Sequence, residues 1–414
     1  MFRNQCLCCA STDLREVIHL GMHPLADSFI PVERAAEPDR VYLLACDFCA
    51  QCGQIQNRTV TAPEERYGAV DYSYTSSHSR TARDHWTEYA RRVGAQMGLQ
   101  TGDGVLEIGS NDGFLSACFA EAGGRVLGVD ASPVMAKLAA ERGVETMVEL
   151  FGKASLDRIR ARLPQLPKLI VANNVYNHAD DPLGFAQAVK SLLAPDGTFV
   201  FELPYWAVSV RECKFDMIYH EHVNWFTVTY ARNLLERAGL KVVHVEEADY
   251  HGGSIRVFAQ HNSSTAPGIN GAADLNSFIE REKSLGLFDP ETYLAYAQRV
   301  RDRRNRFLSH VYMLKNRGES IVCVGAAAKG NTFLNYYNLD ASLIDCVTDS
   351  APSKIGKFTP RTRIPIVPDA ALARYDRVHA IITSWNLSAA LQEILLKINP
   401  RIQFLNPYDA TYDS

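Results

Sequence analysis

Val105-Leu-Glu-Ile-Gly-Ser-Asn-Asp-Gly113 reads as a short buried strand (Val105, Leu106, Ile108) running into a glycine turn at Gly109 and Gly113. An apolar-periodic helix follows, with Phe114, Leu115, Cys118 and Phe119 on one face. A second strand, Arg125 to Val129, ends on Asp130, 21 residues after Gly109. Strand, glycine turn, helix, strand and terminal acid make a nucleoside site, because the acid accepts hydrogen bonds from ribose hydroxyls.

A dinucleotide fingerprint, G-x-G-x-x-G, lets a helix N-terminus approach a pyrophosphate. Here Asn111 takes the second glycine's place and Phe114 falls where the third spacing lies. The Glu107 carboxylate before the turn would repel a diphosphate. It suits a cationic ligand, such as the sulfonium and ammonium of S-adenosylmethionine. Glu107, Gly109, Asn111, Gly113 and Asp130 are the expected contacts to that cofactor; a βα turn without ligand is the alternative these residues leave open.

The βα rhythm continues to about residue 260. A helix is expected from Pro133 to Arg142, then a buried strand from Pro167 to Ala172 that ends in Asn173-Asn-Val-Tyr-Asn-His178. Ligands of open α/β sheets bind beyond the carboxyl ends of strands, which places Asn173, Asn174 and His178 near the cofactor. A helix from Pro182 to Leu193 and a strand from Gly197 to Pro204 complete an alternating, doubly wound pattern.

The densest chemistry lies in Phe215-Asp-Met-Ile-Tyr-His-Glu-His-Val-Asn-Trp-Phe226. On a strand, Tyr219 and Glu221 would face one side and His220 and His222 the other. H-E-H lacks the i, i+4 histidines of a metalloprotease helix. An acid–base site is preferred, with a histidine base whose tautomer is oriented by a carboxylate. His251-Gly-Gly-Ser-Ile-Arg256 opens a further strand, and Arg256 is placed to hold a phosphate.

The chain has ten cysteines, six of them in the first 52 residues. Cys6 with Cys9 and Cys49 with Cys52 form two C-x-x-C knuckles, the second followed by Gly53. Four thiolates at this spacing suit one closed, tetrahedral, structural zinc. Cys8 and Cys46 are out of register with the knuckles. A redox reading would need a thioredoxin-like βαβ context, which is missing. Between the zinc module and the nucleoside unit, Tyr72-Ser-Tyr-Thr-Ser-Ser-His-Ser79 is dense in hydroxyls ahead of a helical pattern from Thr81 to Gln100. At least one of Ser76, Ser77 and Ser79 is expected to cap that helix, and the others could hold phosphate.

Residues 271–317 read as helical, with the charges of Arg299 to Arg306 on a solvated face. A third unit opens with Ser320 to Val324, turns at Gly325-Ala-Ala-Ala-Lys-Gly-Asn331 and continues with a strand from Leu343 to Asp349. It is a second Rossmann-like βαβ with alanine for the middle glycine, and Lys329 could neutralise a diphosphate. Such a unit without a cofactor of its own is the simpler reading.

The 414 residues allow two or three domains. Net charge −4 gives no footprint for nucleic acid or anionic membrane. Apolar runs are too short for a membrane span, and the N-terminus lacks a secretory signal, so a cytoplasmic location is expected.

Taken together, these motifs resemble the zinc-containing, S-adenosylmethionine-dependent nucleotide-sugar C-methyltransferases. The resemblance runs through the paired knuckles, Pro24-Leu-Ala-Asp-Ser-Phe29, Tyr72 to Ser77, Glu107 to Gly113, Asn173-Asn-Val with His178, Tyr219 to His222, His251 to Arg256 and Gly325 to Asn331. It implies an α/β fold with an N-terminal zinc module (1–70), a central class I methyltransferase domain (71–270) and a helical connector with a C-terminal Rossmann-like domain (271–414) that helps bind the substrate. It implies a TDP-, GDP- or CDP-linked 4-keto-6-deoxysugar methylated beside the ketone, at C-3′, by a monomer or small homo-oligomer. Tyr219, Glu221, His222, His178 and Tyr74 match catalytic positions. Tyr72, Ser76, Ser77, His251, Ser254, Arg256, Lys329 and Asn331 would lie on the substrate. The chemistry expected is removal of the acidic C–H proton by His222, oriented by Glu221, while Tyr219 and His178 donate to the enolate oxygen. Tyr176-Asn177 and Val223-Asn-Trp225 depart from the family's usual Leu-Ala and Phe-Ser-Tyr, beside the expected sugar pocket. Methylation of oxygen or nitrogen on the same fold is the alternative.

Overall fold

The computed structural model describes residues 1–63, 65–66, 75–266 and 275–412. Its centre is a seven-stranded sheet in the order Leu240–Ala248, Ser254–His261, Thr198–Pro204, Leu169–Val171, Gly104–Ile108, Arg125–Asp130, Thr146–Val148. The last five strands are parallel; Ser254–His261 runs antiparallel to its neighbours on both sides. Leu169, Ile170 and Val171 are fully buried, as a strand covered by helices on both faces requires. The strand order reverses between Gly104–Ile108 and Leu169–Val171, which makes the crevice beyond their carboxyl ends the natural ligand site.

Two further sheets flank this one. The N-terminal sheet is antiparallel, in the order Leu14–His23, Tyr42–Cys49, Ile55–Asn57, Asn224–Trp225. Its fourth strand comes from the segment that carries the histidines, so the zinc module and the candidate catalytic turn share one hydrogen-bonded ladder. The C-terminal sheet is wholly parallel, in the order Ile366–Pro368, Val347–Asp349, Ile321–Val324, Val378–Ile382, Ile402–Leu405. The expected helix after residue 80 spans Arg80–Gln96, and Ser79 is its cap, its hydroxyl accepting from the Ala82 amide at 3.1 Å.

The 27-residue helix Pro290–Asn316, about 40 Å long, braces the sheets. Tyr293 meets Phe48 of the N-terminal sheet at 5.3 Å, and Phe307 meets Phe333 of the C-terminal unit at 6.0 Å. Its basic run is not all solvated. Arg299 and Arg303, one turn apart, donate to the Val210 and Glu212 carbonyls. They neutralise the C-terminal dipole of helix Trp206–Arg211, an attraction a charge count along the sequence does not reveal. Among the described residues, no helix is long and apolar enough to cross a membrane.

Candidate functional site

The four knuckle sulfurs lie within 4.8 Å of one another, with Cys6–Cys52 at 3.4 Å and Cys9–Cys49 at 3.6 Å. Tetrahedral zinc with ~2.3 Å bonds to sulfur spaces its ligands roughly 3.8 Å apart, so the donor set fits that ion. The Cys8 and Cys9 amides point at the Cys6 sulfur at 3.3 and 3.5 Å, as in a turn folded around a metal thiolate. Cys8 and Cys46 stand outside the cluster.

The cofactor turn depends on two glycines in the left-handed region. A Cβ on Gly109 (φ +69) would lie 2.1 Å from a Val175 methyl, and one on Gly113 (φ +74) 2.7 Å from the Ala139 Cβ. Asp130 accepts from the Asn111 amide (2.9 Å) through one oxygen and from the Ser132 amide (2.8 Å) through the other. Each oxygen keeps a lone pair for a ribose hydroxyl. Asn173 closes the opposite lip by accepting from the Glu202 amide at 2.9 Å, and Asn174 adopts φ +54. Glu107 is buried and takes the Ser116 hydroxyl. Burial, reinforced by Asp112 and Asp130, pushes its carboxyl up to about 8. At pH 7 it is therefore mostly protonated before a ligand arrives. A sulfonium lowers that pKa and drives the proton off, so S-adenosylmethionine is expected to release more protons on binding than the uncharged thioether S-adenosylhomocysteine. Calorimetry at pH 7 in buffers of different ionisation enthalpy measures the difference; equal release would remove Glu107 from the counter-charge role.

The segment Tyr219 to His222 is a turn, so the alternation that a strand would impose does not apply. The His222 amide donates to the Tyr219 carbonyl at 3.0 Å, and the strand begins only at Asn224. Tyr219 and His222 consequently share one side: the phenol lies 2.6 Å from His222 Nε2, and the ring centroids are 3.9 Å apart with the planes tilted by 33°. His222 Nδ1 lies 2.9 Å from the Met217 carbonyl. That carbonyl can only accept, so Nδ1 carries the hydrogen and Nε2 is the basic nitrogen. Glu221 does not orient His222, as the sequence suggested. Its Oε1 instead takes the Ala26 amide at 3.1 Å. His178 stands edge-on to His222 with ring centroids 5.0 Å apart. Burial, helped by the His178 ring, holds His222 well below its ordinary range, and burial holds His178 at about 4. Both imidazoles are neutral at physiological pH.

His251 (φ +51), Lys214, Trp385 and Asn386 line a cleft of 240 Å³. The Lys214 and Lys329 ammonium groups each lie 4.2 Å from the Trp385 ring centroid, and the indole N–H donates to Asp216 at 2.7 Å. Lys329 also bonds Asn386, and burial lowers it to about 8.

Several expected substrate contacts are committed elsewhere. Arg256 sits inside the central sheet, donating to Glu202 (2.7 and 2.9 Å) and Glu246 (2.6 Å), with Tyr89 over its guanidinium. A guanidinium holding two buried carboxylates is not a phosphate ligand. The Ser254 hydroxyl donates to the Tyr250 carbonyl at 2.9 Å. Ser76 and Ser77 hydrogen-bond the Asp112 carboxylate, and the Ser76 amide reaches Asn111 at 2.8 Å; they latch the cofactor turn. Asn331 donates to the Ala26 carbonyl at 2.5 Å and is buried. Tyr72 and Tyr74 lie outside the described residues.

The departures from the family pattern are buried. Tyr176 is fully buried, stacked on Phe185 at 4.5 Å, and donates to the Pro182 carbonyl. Trp225 packs against Trp206, and Asn224 links the zinc module to the Ala179 carbonyl. Sequence reading missed Asp27, Lys214, Asp216 and Trp385. Of these only Asp27 carried a signal, its place within Pro24 to Phe29.

Three family models match the chain: a zinc binding domain over residues 6–67, a methyltransferase domain over 80–245 and a C-methyltransferase C-terminal domain over 249–401. C-methyltransferase NovU of Streptomyces niveus is 31% identical over 383 residues, covering 92% of this chain and 90% of its own. A ubiquinone biosynthesis O-methyltransferase of Xanthomonas campestris is 31% identical over 107 residues, 26% of this chain and 44% of its own. A solved magnesium protoporphyrin IX methyltransferase from Synechocystis with bound SAH is 17% identical, covering 43% of this chain and 81% of its own at a TM-score of 0.34.

Proposed function

The chain belongs to the zinc-containing, S-adenosylmethionine-dependent C-methyltransferase family, and we propose that it methylates C-3′ of a nucleotide-linked 4-keto-6-deoxysugar. The cofactor is S-adenosylmethionine and the zinc is structural. The observation that carries the reading is the Tyr219–His222 pair at 2.6 Å, a neutral imidazole with one nitrogen fixed as donor and the other poised as base.

Carbon is a nucleophile only after deprotonation, and a neighbouring ketone makes that C–H acidic. In the proposed reaction the proton ends on His222 Nε2. Once protonated, Nε2–H donates to the Tyr219 oxygen, and the phenol hydrogen is free to turn toward the enolate. His178, expected as a second donor to that oxygen, spends the one hydrogen of its neutral ring on the Glu221 carbonyl and is assigned instead to packing edge-on against His222. S-adenosylmethionine supplies the electrophilic methyl group. The turn at Gly109 to Gly113 and the C-terminal unit hold the two reactants in line, which converts an encounter into a unimolecular step. Lys329 and His251, at the cleft beside Trp385, are assigned to the nucleotide end of the substrate. Residues 1–70, 71–270 and 271–414 are assigned to the zinc module, the cofactor domain and the connector with the substrate domain.

Incubation with TDP-, GDP- and CDP-linked 4-keto-6-deoxysugars is expected to give a mass gain of one methylene on carbon. With S-adenosylhomocysteine in deuterium oxide, the same sugar is expected to exchange its C-3′ hydrogen without methylation. A product carrying the new methyl on oxygen or nitrogen, with no exchange at carbon, would sink the proposal.

A further inference from the structure

Glu221 is a buried carboxyl with half its hydrogen-bonding capacity unfilled. Oε1 takes the Ala26 amide, but Oε2, equally buried, meets no donor among the described residues. Asp27 follows Ala26 in the same turn. Asn331 of helix Ala328–Tyr337 holds that turn by donating to the Ala26 carbonyl. An ionised oxygen left in this position would be buried without a partner, a costly arrangement. A carboxylic acid hydrogen on Oε2 removes the penalty once it has an acceptor.

We propose that Glu221 acts as an un-ionised acid whose Oε2–H hydrogen-bonds the substrate's carbonyl oxygen, and that Asp27 is the positioning residue whose charge keeps it un-ionised. This rests on the C-methylation reading above. As the C–H electrons become the enolate double bond, the carbonyl π pair moves to oxygen, where charge develops and the Glu221 hydrogen is waiting. The Tyr219 hydrogen is directed at His222 until Nε2 is protonated and joins the Glu221 hydrogen at that oxygen only afterwards. The Glu221 proton is shared, not transferred, and relaxes back as the carbonyl re-forms on methylation. The C–H proton remains on His222 and the methyl on carbon.

The surroundings agree. Burial, with Asp27 adding to it, pushes the Glu221 carboxyl up to about 7. Burial raises Asp27 too, but the Lys354 charge opposes that rise. Of these two carboxyls, Asp27, which has the Lys354 cation beside it, is the one held ionised. Lys354 is held in place by the Ala326 carbonyl at 2.8 Å and by the Phe29 ring. The other groups around Glu221 are His178, engaged with the Glu221 backbone carbonyl, the turn neighbours His220 and His222, all neutral, and Lys329 on the Asn331 helix.

The test is the pH profile of turnover with the full chain. Wild-type activity is expected to fall on the alkaline side as Glu221 loses its proton. Asp27→Asn lowers the Glu221 pKa and moves that limb to lower pH. Glu221→Gln keeps a donor that does not titrate, so the limb flattens and turnover stays within about tenfold. Glu221→Ala loses about 10²–10³-fold, as for a deleted oxyanion donor. A wild-type limb surviving in Glu221→Gln, or an unmoved limb in Asp27→Asn, overturns the proposal. Difference infrared spectroscopy of the S-adenosylhomocysteine-bound protein needs no sugar. A carboxylic acid band present below neutrality in wild type and missing in Glu221→Gln supports the assignment; its absence in wild type sinks it. That arm stands even if no ketosugar is methylated, a result that would count against the substrate reading instead.

Discussion

His222→Asn is expected to lower turnover about 10²–10⁴-fold, the usual loss for an acid–base group, while the affinity for S-adenosylhomocysteine stays within experimental scatter. Asparagine can still donate to the Met217 carbonyl that His222 Nδ1 now meets at 2.9 Å, so the turn has what it needs to keep its shape. It lacks a basic nitrogen to receive either the substrate proton or the Tyr219 hydroxyl. The cofactor turn is built from other strands, Gly104–Ile108 and Arg125–Asp130, and does not depend on the imidazole. The pH dependence carries the same signature. Because burial lowers the pKa of His222, the base form is present through neutrality and is lost only as pH falls well below the ordinary histidine range. Single-turnover rates and deuterium washout at C-3′ should fall together. Near-normal turnover in the variant would remove His222 from the reaction.

What could be read from the sequence was what depends on near neighbours. The strand, glycine turn and Asp130 lie within about one βαβ unit, and each C-x-x-C knuckle is a single turn. What failed depended on distant partners. Arg256 looks available in sequence, yet its carboxylates are Glu246, across the hairpin, and Glu202, on the neighbouring strand. The alternation rule does not reach Tyr219 and His222 because the strand starts at Asn224, where Gln56 and Ile55 of the zinc module pair with it. A ladder partner more than 160 residues away sets where the turn ends. Asp27 influences Glu221, and Lys354 influences Asp27, from opposite ends of the chain.

The same ladder makes a second large effect expected at a distance from the chemistry: removal of zinc should bring methyl transfer to background. Cys8, between two ligands, gives its amide to Gln54 at 2.9 Å; Gln54 donates to Asn224 at 2.6 Å; Asn224 donates to the Ala179 carbonyl, next to His178, at 2.6 Å. The Asn57 amide reaches the Val223 carbonyl at 2.8 Å, and the Val223 amide the Asn177 carbonyl at 2.9 Å. His178 and His222 thus both hang from the strand that the knuckles anchor. Structural zinc contributes roughly 10–16 kcal/mol of apparent binding energy in small sites at pH 7, comparable to the whole stability of a typical domain. Without it, the thiols cannot hold Ile55–Asn57 in register. Cys49→Ser, or chelation of the wild type, is therefore expected to abolish turnover in proportion to zinc lost. One face of the central sheet packs in an apolar core separate from the zinc module, and the sheet is expected to keep S-adenosylhomocysteine binding. Zinc content, turnover and ligand affinity measured on the same samples decide it: a zinc-depleted protein that still methylates at the wild-type rate would show that the catalytic turn stands without the knuckles.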